Sequence, residues 1–473
     1  MYINGEWVQS ESQFPVTDPA TGATIGQVPD ATEADIERAI ASAYAAFADW
    51  RRTTAYERSQ LLYRAWELMS ARKRELAELM TREQGKPLKA ALNEVQYGAS
   101  FLLWFAEEAK RVYGQLIPSA RADQRFMVQK APVGVVAAIT PWNYPISMIT
   151  RKLGPALAAG CTAVLKPAES TPLCAKAMFE IFDEAGFPPG VVNLLTVRNP
   201  AKVGEAFCTD PRIRKLTFTG STAVGKHLNT TAAAHMKRVS MELGGHAPAL
   251  VFPDADPVHA AKGLSLVKFL NTGQACISPN RIFVHEAIAE PFIEAFRSRV
   301  QKLRVGNGMS EGVAIGPLIN EAALQKVDRQ VKDAVGKGAR LEHGGERVSD
   351  GELAGGYFYA PTLLSGVTPD MEIYREETFG PVAPIVTFDS EDDVIAMAND
   401  THYGLAAYIY SNNLSTAMRA FEGLDFGIIG INDINPTSAA APFGGMKDSG
   451  QGREGAQEGI EEYLETKLGG MVV

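Results

Sequence analysis

A cysteine that follows a polar, glycine-containing turn is a nucleophile candidate, and Asn271-Thr272-Gly273-Gln274-Ala275-Cys276 supplies one. A thiolate needs polar access and hydrogen-bond donors around it. Cys161, Cys174 and Cys208 instead follow Gly160, Leu173 and Phe207 in or beside apolar stretches, which is the setting of packing residues. Met241-Glu242-Leu243-Gly244-Gly245 sets one carboxylate among apolar neighbours. Such a carboxylate has a raised pKa and can act as a general base near neutral pH; a structural ion pair is the ordinary alternative. Pro141-Trp142-Asn143-Tyr144-Pro145 is a rigid turn that presents an amide able to steady an oxyanion. A turn residue bonding its own backbone would look the same.

Two further segments suit a dinucleotide. Phe218-Thr219-Gly220-Ser221-Thr222 follows an apolar run, and Ala223-Val224-Gly225 opens a helical one. Backbone N–H groups at such a helix start can hold a pyrophosphate, although a tight turn without a ligand would read alike. Lys166-Pro167-Ala168-Glu169 follows the run Thr162–Leu165, where an acidic group can bind a ribose hydroxyl. A charged surface pair is the alternative there.

These residues need a frame. From about residue 126, apolar runs at 133–139, 162–165, 191–197, 216–218 and 249–252 alternate with helical stretches at 148–159, 172–185, 201–208 and 225–234. That alternation predicts an α/β fold with a parallel sheet covered on both faces. A second alternating stretch from about 263, with strands at 281–285, 383–388, 405–410 and 428–432, predicts a second α/β unit. The first third reads as mainly helical. Thr32 and Asp35 have capping-box spacing ahead of Ile36, Ile40, Ala43 and Phe47, and amphipathic stretches follow at about 56–81 and 101–112. Segments 114–132 and the tail after Glu461 read as extended edges that need a partner chain.

Composition removes other classes. The chain has 473 residues, 46% hydrophobic and 21% charged, enough to bury a sizeable core and unlike a disordered chain. A net charge of −9 without a basic stripe argues against nucleic acid. No apolar run approaches a membrane span and no secretory signal is visible, so a cytoplasmic protein with free thiols is expected. The seven histidines show no ligand spacing, so no metal is expected.

Taken in order, PWN, KPAE, FTGST, ELGG, GQ-x-C, EETFGP and PFGG-x-K-x-S-G-x-G-x-E resemble the aldehyde dehydrogenase superfamily from about residue 130 to 460. The resemblance implies a Rossmann-like NAD-binding domain at 1–113 and 133–245, and a second α/β catalytic domain at 246–441. It implies a small β oligomerisation segment built from 114–132 and 442–473, and a homodimer or homotetramer. Cys276 would attack the aldehyde to give a thiohemiacetal, with Asn143 and the Cys276 N–H on the oxyanion. Glu242 would activate the water that hydrolyses the thioester, and Lys152 and Glu454 match polar groups with proton-relay roles. Ile139, Thr140, Pro141, Trp142, Lys166, Glu169, Phe218, Thr219, Gly220, Ser221, Gly225, Leu243, Glu377 and Phe379 fall at cofactor-binding positions. Glu169 would bind a ribose 2′-hydroxyl and repel a 2′-phosphate, which favours NAD over NADP.

Within the superfamily, the likeness is to succinate- and α-ketoglutarate-semialdehyde dehydrogenases. In that subgroup, arginine at the Arg151 position and serine at the Ser438 position bind the distal carboxylate of the substrate. The subgroup's second arginine is absent: Leu270 stands in its place. Losing one of two charge-assisted partners costs on the order of 1–3 kcal/mol, about 10- to 100-fold in affinity. The alternatives are therefore a broad-range dehydrogenase or one for hydroxyaldehydes such as glycolaldehyde or lactaldehyde. A more distant one is a non-catalytic structural protein on the same fold.

Overall fold

Runs of Val, Ile, Leu and Ala that leave no polar face become strands buried on both sides. In the computed structural model, which describes residues 1–473, Val135–Ile139 (β1), Thr162–Lys166 (β2) and Val192–Leu194 (β3) are wholly buried, and the more polar Ile213–Thr219 (β4) and Arg238–Glu242 (β5) join them. They lie parallel in the order β3-β2-β1-β4-β5. The chain winds outward from β1 to β3, then returns to the other side at β4. Ligands of such sheets bind beyond the strands' carboxyl ends at this reversal. Register makes that edge a single row: Ile139 lies opposite Lys166 and Phe218, and Thr219 lies opposite Glu242.

Three helices carry the chemistry outward from the strands: Ser147–Ala159 (α1), Thr222–Ala233 (α2) and Pro257–Phe269 (α3). Every residue of α1 is buried, Arg151 and Lys152 included, and Gly160 ends it in the left-handed region at φ 93°. Two long charged side chains inside a buried helix demand partners.

A second sheet of seven strands runs Arg340–His343, Thr362–Ser365, Val382–Phe388, Pro279–His285, Ala247–Val251, Ala406–Tyr410, Ile428–Ile431. All neighbours are parallel except the first pair. The run at 249–252 thus belongs to this sheet, although its sequence continues the first alternating stretch.

Four places differ from the sequence expectation. Four short strands precede the first helix: Tyr2–Ile3, which joins the first sheet beside β3, and Glu6–Trp7 are too short to carry a period, while Gln13–Thr17 and Thr24–Pro29 form a separate hairpin outside that expectation. The stretch at 56–81 is two helices, Ala55–Ala71 and Lys73–Gln84, turning at Arg72. Its apolar period continues across the break, so hydrophobicity does not mark it. The helix expected at 101–112 starts earlier, at Leu88, and runs to Glu108. Finally, the two extended segments pair with each other in one chain: Leu464–Val472 lies antiparallel to Gln124–Pro132 over nine residue pairs, with Gln115–Ile117 outside. No other chain is needed for that pairing. The outer edges stay open, and Leu116, Leu468 and Val472 are exposed there. Gly450–Gln451 instead joins the edge of the first sheet beside β5. The Thr32–Asp35 capping box is formed as read.

Candidate active site

The nucleophile loop begins where α3 stops. Asn271 (φ 50°, ψ 37°), Thr272 (φ 60°, ψ 28°) and Gly273 (φ 74°) are three successive left-handed residues. For the two that are not glycine, this conformation costs about 1–3 kcal/mol each and must be held by its surroundings. The Gly316 N–H donates to Thr272 Oγ1 (2.9 Å), the Ile319 N–H donates to Gln274 Oε1 (3.0 Å), and Gln274 Nε2 donates to Pro317 O (3.3 Å). A Cβ on Gly273 would sit 2.1 Å from the Gly380 carbonyl oxygen, so this position requires glycine twice over. The loop delivers Cys276 half-buried while the other three cysteines are buried. Burial pushes the Cys276 thiol up to about 12, against the opposing pull of the Arg151 guanidinium.

Asn143 follows β1 and is buried. Its Nδ2 donates to Gln274 O (3.1 Å), two residues before the cysteine. Its backbone carbonyl accepts from Lys86 Nζ (2.7 Å) and Asn271 Nδ2 (2.9 Å). Lys86 in turn pairs with Glu94, and neither side chain has any exposure. Glu94 Oε1 accepts the N–H groups of Ile146 (3.0 Å) and Ser147 (3.1 Å) at the start of α1. This buried pair from the helical N-terminal region therefore fixes both ends of the Asn143 turn. Sequence reasoning missed it. The available signal was Gly85-Lys86-Pro87, a cation in a helix break between two apolar stretches.

Glu242 ends β5 with Oε2 buried and unpartnered. Burial and then the Glu454 charge push its carboxyl well above the usual range; Arg151 and Lys152 pull the other way. Glu454 lies between two cations: Arg151 Nε is 2.7 Å from Oε2, and Lys152 Nζ is 2.6 Å from Oε1. Burial alone would raise its carboxyl, but the Lys152 and Arg151 charges outweigh that and hold it below the ordinary value. Lys152 Nζ also donates to Thr217 Oγ1 (3.1 Å), and the Arg151 guanidinium lies 3.9 Å from the Phe443 ring centroid. Arg151 is 2% exposed and is joined to Glu454, with no bond to Ser438. Ser438 is exposed and its hydroxyl accepts the Ala440 N–H (3.2 Å), while Leu270 is 40% exposed where α3 ends. The three positions expected to bind substrate are thus not joined to one another by any hydrogen bond.

Along the strand-end row, Thr140 and Thr219 present buried, unpartnered hydroxyls next to Ile139 and Phe218. Lys166 pairs with Glu169, and burial lowers the Lys166 ammonium while Glu169 raises it. The Gly220 N–H donates to Glu242 O (3.1 Å), and Ser221 makes no side-chain cap on α2, so the first N–H groups of that helix are available. Gly225 permits close approach there, because its Cβ would lie 2.3 Å from a Leu243 methyl group. Across the cleft, Glu377 Oε1 accepts the Gly245 N–H (2.9 Å), and burial pushes its carboxyl up to about 7. Trp142 and Phe379 meet edge-on with centroids 5.5 Å apart, and Phe379 has φ 54°. Pro141 is half-buried beside them. No group of three or more His, Cys, Asp or Glu that could hold a metal is present, and no helix is long and apolar enough to cross a membrane.

Comparison with known proteins matches residues 7–468 to a family described as "Aldehyde dehydrogenase family". The mitochondrial succinate-semialdehyde dehydrogenase of Arabidopsis thaliana is 51% identical over 467 residues, 98% of this chain and 88% of that protein. The 3-sulfolactaldehyde dehydrogenase of Pseudomonas putida is 49% identical over 475 residues, 99% of this chain and 97% of that protein. A solved E. coli structure described as an NADP-dependent enzyme superposes with a TM-score of 0.97 at 47% identity, covering 100% and 98% of the two chains.

Two outcomes follow from the geometry. Because Cys276 stays protonated at neutral pH, its alkylation by iodoacetamide in cofactor-free protein should rise about ten-fold per pH unit from 7 to 9, without a plateau. Peptide mass spectrometry should find the label on Cys276 and not on Cys161, Cys174 or Cys208. Replacing Glu94 with Gln should destabilise the fold by about 3–5 kcal/mol, read as a lowered urea midpoint, since it leaves Lys86 buried and unpaired.

Proposed function

The chain belongs to the aldehyde dehydrogenase family, and from that membership we propose that it oxidises a small semialdehyde to the free acid with NAD, succinate semialdehyde being the reference substrate. The observation that carries the hydrolytic outcome is Glu242, a buried carboxylate with a free oxygen at the carboxyl edge of the first sheet. Cys276 loses its thiol proton to water and attacks the aldehyde carbonyl, and the C–S bond forms as the carbonyl π pair moves onto oxygen. The Asn143 amide, steadied by Lys86 and Asn271 through its backbone carbonyl, and the Cys276 N–H hold that oxyanion. Collapse of the oxyanion to a thioester expels a hydride, for which bound NAD would supply the acceptor. Glu242 then takes a proton from water, whose oxygen bonds to the thioester carbon; the C–S bond breaks and Cys276 leaves as thiolate. Lys152 and Glu454 lie on the path by which Glu242 loses its proton.

The residues at the cofactor positions fit a dinucleotide. The unpartnered hydroxyls of Thr140 and Thr219 and the uncapped start of α2 suit a pyrophosphate, and Gly225 lets Leu243 pack against that helix. Lys166 and Glu169 would hold the adenosine ribose, and Glu377 the nicotinamide ribose beside Phe379 and Trp142. Glu169 is what favours NAD. The E. coli structure is described as NADP-dependent, so that residue is where the choice is tested.

Leu270 favours a second reading: an aldehyde with a hydroxyl group besides, or in place of, the distal anion. The relative named for 3-sulfolactaldehyde is compatible with it. In this reading the chain divides into a cofactor domain at 1–113 and 133–245, a catalytic domain at 246–441, and a small sheet. The open edges of Gln115–Ile117 and Leu464–Val472, with their exposed apolar residues, support a homodimer or homotetramer. Four free thiols support residence in the cytoplasm.

Glu242→Gln should keep a first-turnover burst of NADH and lose steady turnover by about 10²–10⁴-fold, read by rapid mixing; an enzyme without a burst and with full turnover would overturn the assignment. Glu169→Ser should raise kcat/KM for NADP relative to NAD by about ten-fold or more. Static light scattering at micromolar concentration should give at least twice the chain mass.

A further inference from the structure

Arg151 is where a substrate anion is expected, yet its guanidinium is already charge-paired inside the protein. Nε is 2.7 Å from Glu454 Oε2, and the group lies against Phe443 with 2% exposure. Neither Nε nor Nη2 has a hydrogen-bond partner, so the Glu454 contact is an ion pair without hydrogen-bond alignment and Nη2 is left with no polar partner at all. The same Glu454 bonds Lys152, and Glu242 is the other carboxylate that shares their field. We infer that Arg151 serves two groups at once: it binds the distal anion of the substrate and, through Nε, sets the basicity of Glu454 and hence of the Glu242 that activates water. This rests on the semialdehyde reading for its first half only.

The physical chain is short. Two cations on one buried carboxylate keep it ionised and make it a weak proton acceptor. An anion on the outer edge of the guanidinium offsets part of the Arg151 charge. Glu454 and Glu242 then become more basic. An anionic aldehyde would therefore strengthen the base that hydrolyses its own thioester, and a neutral aldehyde would not. The other charged or titratable groups facing this cluster are Lys152 on α1, Arg453 beside Glu454, Tyr97 on the helix Leu88–Glu108, Tyr463 in the tail and Cys276 itself.

The sign is testable. Removing a neighbouring cation raises a carboxyl pKa, so the acidic limb of the rate profile moves to higher pH. Arg151→Met, assayed as holoenzyme with butyraldehyde and NAD, should move the acidic limb of thioester hydrolysis up by about one pH unit or more, costing about ten-fold at pH 6 and little at pH 9. Arg151→Lys should restore the limb. In the wild type, the limb should lie higher for succinate semialdehyde than for butyraldehyde, and Arg151→Met should abolish that difference. A limb for butyraldehyde unmoved in Arg151→Met, with only the KM for succinate semialdehyde raised, would overturn the inference and leave a simple clamp. An equal loss at every pH that Lys does not rescue would also overturn it. A wild type indifferent to the substrate anion would remove the semialdehyde reading, while the butyraldehyde limb shift would still support the link from Arg151 to Glu454.

Discussion

Four charges share one water-poor compartment, and the site depends on their balance. Arg151 and Lys152 face Glu454 directly, while Glu242 stands nearby with one oxygen free. Moving a single charge into such a place costs several kcal/mol unless a partner of opposite sign meets it. With two cations and two carboxylates the group is near neutral only when both carboxylates are ionised. The cost of burying Glu242 is thus reduced by cations that formally belong to Glu454. This is how a residue placed to take a proton from water can sit among apolar neighbours without losing its function.

The fold exists to bring those charges together. Parallel register sets the last residues of β1, β2, β4 and β5 in one row, so cofactor positions and Glu242 share an edge. The buried helix α1 carries both cations back toward that edge. From the far side, the left-handed loop at Asn271–Gly273 presents Cys276, and the Gln274 carbonyl in that loop accepts from the Asn143 amide. Each contributor comes from a different part of the chain, which is why the N-terminal pair Lys86–Glu94 matters. It ties a distant helical layer to the turn on which the Asn143 amide is mounted.

Much of this is legible in sequence because it is local. The βαβ alternation, the Thr32–Asp35 cap and the cysteine set on a glycine turn all depend on neighbours within a few residues. The misses are of another kind. Lys86 reaches Asn143 across 57 residues, and Lys152 reaches Glu454 across 302, distances at which spacing carries no information. The strands Tyr2–Ile3 and Gly450–Gln451 exist only because a sheet edge accepts them. The break at Arg72 leaves the apolar period intact, and the pairing of the two extended segments depends on topology rather than on either segment. Arg151 was legible as a cation in a helix, but its ion pair with Glu454 was not.

What divides the readings of substrate is whether one guanidinium, already charge-paired with Glu454, suffices to select an anionic aldehyde when Leu270 stands where a second arginine is found in the semialdehyde subgroup. The direct measurement is kcat/KM with NAD for succinate semialdehyde, lactaldehyde and butyraldehyde on the wild-type protein. The account predicts a preference of roughly ten-fold or more for succinate semialdehyde, about 1.4 kcal/mol in transition-state binding. A flat profile, or one that favours the neutral aldehydes, would contradict it.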